Sequence, residues 1–113
     1  MSLTLQEGMS VAKFEKKLLK DLKKKSPLAC MVLMYESYNW VVGDELYDPQ
    51  NHEKMEPGHA MLMIGHGRSW SGYKNRFRPF FLFQDSNKNR GNNGYLKMRR
   101  GKELIQIFIT MKA

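Results

Sequence analysis

Residues 57–67 read Pro-Gly-His-Ala-Met-Leu-Met-Ile-Gly-His-Gly, and the interpretation of the remaining chain starts from them. A histidine, His59, opens an apolar run that ends in two glycines. An apolar run of this length, bounded by glycine, is typical of a β-strand. We therefore predict a strand over residues 59–64, interrupted by the Gly-His-Gly segment at residues 65–67.

A second stretch, residues 80–95, reads Phe-Phe-Leu-Phe-Gln-Asp-Ser-Asn-Lys-Asn-Arg-Gly-Asn-Asn-Gly-Tyr. Its aromatic start predicts a strand over residues 80–83, and its Asn and Gly residues predict a loop with positive φ angles. Asp85 stands where the strand ends. If the two strands are neighbours, His59 and Asp85 come together, and an imidazole held by an acceptor is the core of general-base chemistry.

These stretches resemble the papain-like cysteine peptidases. His-Ala, four apolar residues and Gly-x-Gly are similar to that family's His-Ala-Val-x-x-Val-Gly-Tyr-Gly strand. The sequence Gly-Asn-Asn-Gly-Tyr at residues 91–95 resembles its Gly-x-Asn-Gly-Tyr, whereas Asp-Ser-Asn-Lys at residues 85–88 matches its Asn-Ser-Trp-Gly only partly. Ser-Pro before an apolar run at residues 26–27 and Tyr-Asp-Pro at residues 47–49 fall in the family's order. The resemblance covers the second half of the family's catalytic unit.

Pattern and resemblance predict the same fold. The class is α+β, a small, mainly antiparallel open β-barrel of about five strands with one N-terminal helix, which is the papain-like right-hand domain. We expect residues 1–10 to be disordered or tag-like and residues 11–113 to form the half-domain.

The helix is predicted from apolar residues at helical spacing, with Ser10 as its N-cap and Pro27 ending it. Its apolar stripe is predicted to pack on the domain, leaving its lysines in solvent. The apolar run over residues 28–35 predicts a strand buried on both faces. The last two strands are predicted over residues 95–99 and 104–111, joined by a short turn at residues 100–102.

The resemblance also implies roles for individual residues. His59 matches the family's general base, and Asp85 stands in the place of the asparagine that orients it. Asn87 stands in the place of a tryptophan that covers this pair. Gly58 and Ala60 are expected to line the substrate cleft.

The nucleophile of the family lies in a Cys-Gly-Ser-Cys-Trp segment that this sequence does not contain. The only cysteine, Cys30, falls inside the predicted core strand, and a reactive thiol needs partial exposure and an electropositive setting. We therefore interpret Cys30 as a packing residue. We predict no peptidase activity for the isolated chain, and neither a cofactor nor a metal site.

Three functions follow as hypotheses. The leading one is a degenerate half-domain that binds or regulates a protein partner, or self-associates, through the exposed interdomain face. The second is a subunit or fragment of a cysteine peptidase that supplies His59 to a Cys-bearing domain. The third is a basic nucleic-acid-binding domain, since the formal charge is +8.

The sequence also bears on membrane insertion and on cellular location. No apolar run approaches the roughly 20 residues needed to span a bilayer. The N-terminus shows no signal peptide, and one cysteine permits no intrachain disulfide, so an intracellular location is favoured unless an upstream segment is missing.

Overall fold

The computed structural model describes residues 2–4, 10–25, 27–71, 76–89, 91–101 and 104–110. Within these ranges one α-helix and seven strands occur. They are β1 (Ser2–Thr4), α1 (Val11–Lys25), β2 (Leu28–Tyr35), β3 (Leu46–Tyr47), β4 (Met55–Ser71), β5 (Arg76–Gln84), β6 (Tyr95–Arg99) and β7 (Ile105–Thr110). A 3-10 turn over Glu36–Trp40 follows β2.

The strands form one sheet in the order β1-β7-β2-β4-β5-β6-β3. Every pairing is antiparallel except that of β3 with β6. The sheet is open, with β1 and β3 at its two edges. The predicted α+β class and mainly antiparallel sheet are confirmed, and the five predicted strands correspond to β2, β4, β5, β6 and β7.

The helix is amphipathic, as predicted, and packs on its own sheet. Ser10 caps it, because the Ser10 hydroxyl accepts a hydrogen bond from the Lys13 amide at 3.1 Å. Its apolar residues join side chains from the sheet in one core. The buried members are Phe14, Leu18, Leu22, Leu28, Cys30, Val32, Met34, Val41, Tyr47, Met61, Met63, Phe81, Phe83, Leu96, Met98, Leu104 and Ile105.

Strand β4 is longer than predicted, because residues 65–67 do not interrupt it. A register shift between Met63 and Gly65 absorbs the irregularity, and pairing with β5 continues on both sides of it. Gly67 fits against the ring of Phe80, since a Cβ at this position would lie 3.0 Å from the ring. The glycine therefore permits a close approach inside the strand, and the predicted break is wrong.

Three other local predictions differ from the structure. Strand β2 is buried on one face only, since Met31 is 43% exposed. The short turn predicted after β6 implied that the last two strands are neighbours, but β7 pairs with β1 and β2. Although no structure was expected before Ser10, Ser2–Thr4 forms strand β1, because the edge of β7 offers it backbone hydrogen-bonding groups.

Candidate active site

The sheet brings His59 and Asp85 together, as the sequence predicted. Leu62 on β4 pairs with Gln84 on β5, so the residues before Leu62 and after Gln84 lie at the same end of this antiparallel pair. There the Nε2 atom of His59 lies 2.7 Å from Oδ1 of Asp85. The His59 side chain is one-third exposed, whereas that of Asp85 is fully buried.

Asp85 is surrounded by hydrogen-bond donors. Besides His59, its Oδ1 accepts the amide N–H of Asn87 at 3.0 Å, and its Oδ2 accepts the hydroxyl of Tyr38. Its own amide donates to the carbonyl of Gly94 at 2.7 Å. Burial raises the pKa of Asp85, but the bonds from Tyr38, Asn87 and His59 outweigh burial, so that the pKa lies below its usual value.

The protonation of this pair follows from its geometry. A carboxylate that is ionised at neutral pH only accepts hydrogen bonds, so the Nε2 atom of His59 is the donor. The other ring nitrogen, Nδ1, is then the atom that can take a proton. Together the two side chains form an imidazole oriented by a carboxylate, an arrangement that can act as a general base.

Tyr38 belongs to this site, although sequence reasoning assigned it no role. It lies on the 3-10 turn Glu36–Trp40. Its ring centroid is 6.2 Å from that of His59 and 6.1 Å from that of Tyr47, which it meets edge-on at 77°. The only signal in the sequence is a group of aromatic residues in an otherwise polar segment.

An open cleft of about 350 Å³ borders the imidazole. Of the three predicted cleft residues, Gly58 and Asn87 line it. Ala60 instead lines a separate cavity of about 440 Å³. Ala60 follows His59 on β4, and successive residues of a strand point to opposite faces of the sheet, so Ala60 faces away from the cleft that the imidazole borders. The lining of the first cleft comprises Met34, Tyr38, Asn39, Glu56, Pro57, Gly58, His59 and Asn87.

Asn87 holds the loop that follows Asp85. Its amide binds Asp85, and its side-chain Oδ1 accepts the amide N–H of Asn89 at 3.1 Å. The loop turns with positive φ at Gly91, Asn93 and Gly94, as the Asn and Gly content predicted. The backbone at residue 87 therefore supports the carboxylate directly.

Cys30 is placed as the sequence predicted, within the core. It is 3% exposed, and its thiol donates a weak hydrogen bond to the carbonyl of Leu28 at 3.8 Å. Burial raises the pKa of the thiol to about 12. Cys30 therefore stays protonated at neutral pH, which is unfavourable for a nucleophile.

Within the described ranges, no three His, Cys, Asp or Glu side chains cluster as metal ligands. Nor does any helix in that part of the chain have the length and apolar character needed to cross a membrane. The exposed positive charge includes the lysines of α1, at positions 13, 16, 17, 20, 23 and 24.

Comparison with models of known protein families gives a match over most of the chain. Residues 3–113 match the model of the papain family cysteine proteases. The chain belongs to the papain family. Comparison with curated proteins gives no match.

Solved papain-family structures share the fold. Bromelain protease from Ananas comosus, determined with the E64 inhibitor, aligns with a TM-score of 0.61 and 16% identity over 88% of this chain and 46% of its own. SERA5E from Plasmodium falciparum aligns with a TM-score of 0.70 and 13% identity over 99% of this chain and 44% of its own. The chain thus spans less than half the length of these structures.

Proposed function

We propose that this chain provides the histidine-bearing half of a cysteine-peptidase active site, with His59 as the general base. The observation that supports it is the 2.7 Å contact between Nε2 of His59 and the buried carboxylate of Asp85, at the border of an open cleft. The catalytic thiol would come from a Cys-bearing domain on another polypeptide segment, since Cys30 is buried in the core.

In this proposal His59 first accepts a proton and later donates it. The Nδ1 atom of His59 takes the proton of the partner's thiol, and Asp85 stabilises the resulting imidazolium. The thiolate forms a bond to the carbonyl carbon of the peptide. The imidazolium then donates its proton to the leaving amine as the carbon–nitrogen bond breaks.

The proposal is tested by supplying the thiol. The part of bromelain that this chain does not cover is fused to the chain through a flexible linker. The linker keeps the two halves at a high effective concentration. We expect hydrolysis of a fluorogenic peptide and covalent labelling by E64 in the fusion, both strongly reduced by His59→Gln.

His66→Gln is the matched control, because His66 lies on the same strand but outside the cleft. A fusion that folds, as shown by its circular dichroism, yet shows no hydrolysis and no labelling would contradict the proposed role of His59. Equal activity in the wild-type and His59→Gln fusions would also contradict it.

A second candidate function is a protein-binding or regulatory module without catalysis, acting through self-association or a protein partner. It is favoured by an apolar patch on the outer face of β2 and β4, formed by Ala29, Met31, Ala60 and Leu62. Met31 and Leu62 are 43% and 39% exposed, and exposed apolar patches often mark interaction surfaces.

This candidate is tested by light scattering over a range of protein concentrations. We expect association that Leu62→Lys reduces and that Met55→Lys, at an exposed position outside the patch, leaves unchanged. A wild-type chain that stays monomeric at high concentration would argue against self-association.

A further inference from the structure

Asp85 shares its negative charge among three donors that come from different parts of the fold. His59 approaches from β4, the amide of Asn87 from the following loop, and the hydroxyl of Tyr38 from the 3-10 turn after β2. The Tyr38 hydroxyl is the donor to the second carboxylate oxygen, Oδ2.

We propose that Tyr38 is a positioning residue, which fixes the Asp85 carboxylate against His59 and withdraws part of its charge. The papain family carries a neutral asparagine at this place, and the Tyr38 hydrogen bond allows an aspartate to take the same orienting role. The consequence for catalysis rests on the proposed function, whereas the effect on Asp85 belongs to the isolated chain.

The positioning role follows because the two oxygens of the Asp85 carboxylate belong to one planar group, so that a bond to one oxygen also orients the other. A carboxylate turns about its Cβ–Cγ bond, and the Tyr38 bond at Oδ2 restricts this rotation. Oδ1 is thereby held towards Nε2 of His59. Tyr38 is itself supported, because its ring packs edge-on against Tyr47, whose hydroxyl accepts the amide N–H of Tyr35 at 2.8 Å.

The electrostatic role follows from burial. A buried carboxylate that met His59 alone would hold the proton of the imidazolium tightly, because its charge would have no other partner. Such a ring would return its proton poorly to a leaving amine. Each further donor to Asp85 disperses the charge, and a tyrosine hydroxyl is a strong neutral donor. Tyr38 thus moderates the attraction between Asp85 and the protonated ring.

The test uses nuclear magnetic resonance on the isolated chain. The carboxyl ¹³C signal of Asp85 is followed against pH, and the Nε2 proton of His59 is followed at fixed pH. For Tyr38→Phe we expect the Asp85 titration to move to higher pH, because a donor to the charged form is lost. The Nε2 proton is expected to move downfield, because more charge faces His59.

Tyr47→Phe is the matched control, since it removes a buried hydroxyl from the adjacent ring without touching Asp85. A purely structural role of Tyr38 predicts that both variants lower stability and leave both signals unchanged. Incorporation of 3-fluorotyrosine at position 38 gives a second test that keeps the ring in place. Its more acidic hydroxyl should move the Asp85 titration to lower pH.

An Asp85 titration that is unchanged in Tyr38→Phe and in the fluorinated protein would overturn the inference. An equal shift in Tyr47→Phe would overturn it as well. Since no thiol partner is needed, the shifts can be observed even when the bromelain fusion is inactive, and that outcome would contradict the proposed function alone.

Discussion

At Gly91 the fold leaves no room for a side chain. A Cβ atom there would lie 2.3 Å from the carbonyl oxygen of Tyr95, and the residue has a φ of 55°. Gly101 also has a positive φ, 85°, but a Cβ at that position would meet nothing within 4 Å. Substitutions at the two glycines therefore distinguish the energetic cost of a left-handed backbone from the cost of a steric clash.

We expect Gly101→Ala to lower the free energy of unfolding by about 1 kcal/mol, the cost of a left-handed conformation for a residue with a Cβ atom. Gly91→Ala should cost at least twice that, on the order of 2 kcal/mol or more, because backbone must also move. Urea unfolding of both variants measures the difference. Equal costs would show that the loop at residues 91–95 rearranges freely.

Asp85 is a second example at the scale of single residues, because neighbouring donors compensate its buried carboxylate. Its buried carboxylate would be a poorly compensated charge with His59 alone, but Tyr38 and the Asn87 amide each contribute a hydrogen bond. Sequence reasoning identified the aspartate from its place in a motif. It missed the tyrosine, because that residue lies 47 positions away and belongs to no motif.

At the scale of elements, two sets of hydrogen bonds stabilise the N-terminal part of α1. Its N-terminus is capped by Ser10. We expect Ser10→Ala to lower the free energy of unfolding by about 1 kcal/mol, because the Lys13 amide loses its acceptor. Ser10→Asp should retain most of the stability. The comparison is made by urea unfolding, and an unchanged Ser10→Ala midpoint would mean that the cap carries no stability.

A second attachment joins α1 to the turn after β6. Glu15 is buried, accepting a hydrogen bond from Nε of Arg100 at 3.1 Å and one from the amide of Gly101 at 2.6 Å. We expect Glu15→Gln to cost about 2 kcal/mol, the usual scale for bonds to a charged group. Glu36→Gln is a useful control, since Glu36 is less buried and its carboxylate accepts the amide N–H of Lys54 at 3.4 Å. Thermal or urea unfolding measures both, and equal small effects would contradict a stabilising role for Glu15.

At the scale of the whole molecule, acid should unfold the chain through carboxylates that accept hydrogen bonds in the folded state. The pKa of Asp85 is lowered because its hydrogen bonds outweigh burial, and that of Glu53 is lowered because bonds from Ser37 and Gln50 outweigh its smaller burial. Both groups bind protons less readily in the folded chain, so their stabilisation is complete above the unfolded values of 3.8 and 4.5. It is lost as the pH falls through the lower folded values.

We therefore expect the free energy of unfolding, measured in urea at a series of pH values, to fall progressively below about pH 4.5. The double variant Asp85→Asn and Glu53→Gln should be less stable at neutral pH and should lose less stability on acidification. A double variant with the same pH dependence as the wild-type chain would show that other groups control acid unfolding.

Local patterns in the sequence were sufficient to locate most of the elements. Patterns among residues close in sequence mark α1 with its Ser10 cap, the five main strands and the Asn- and Gly-rich loop. The pairing of His59 with Asp85 was also predictable once the two strands are neighbours, because His59 opens one predicted strand and Asp85 ends the other, and antiparallel pairing brings these two points together.

Tertiary structure alone decided how these parts meet. The pairing of β7 with β2, the continuation of β4 beyond Gly65 and the contact of Tyr38 with Asp85 all join residues distant in sequence. No local pattern encodes such contacts, because they depend on the register of the whole sheet and on which side chains fill the space that it leaves. The sequence determined that His59 and Asp85 can meet, and packing determined that Tyr38 contacts the same carboxylate.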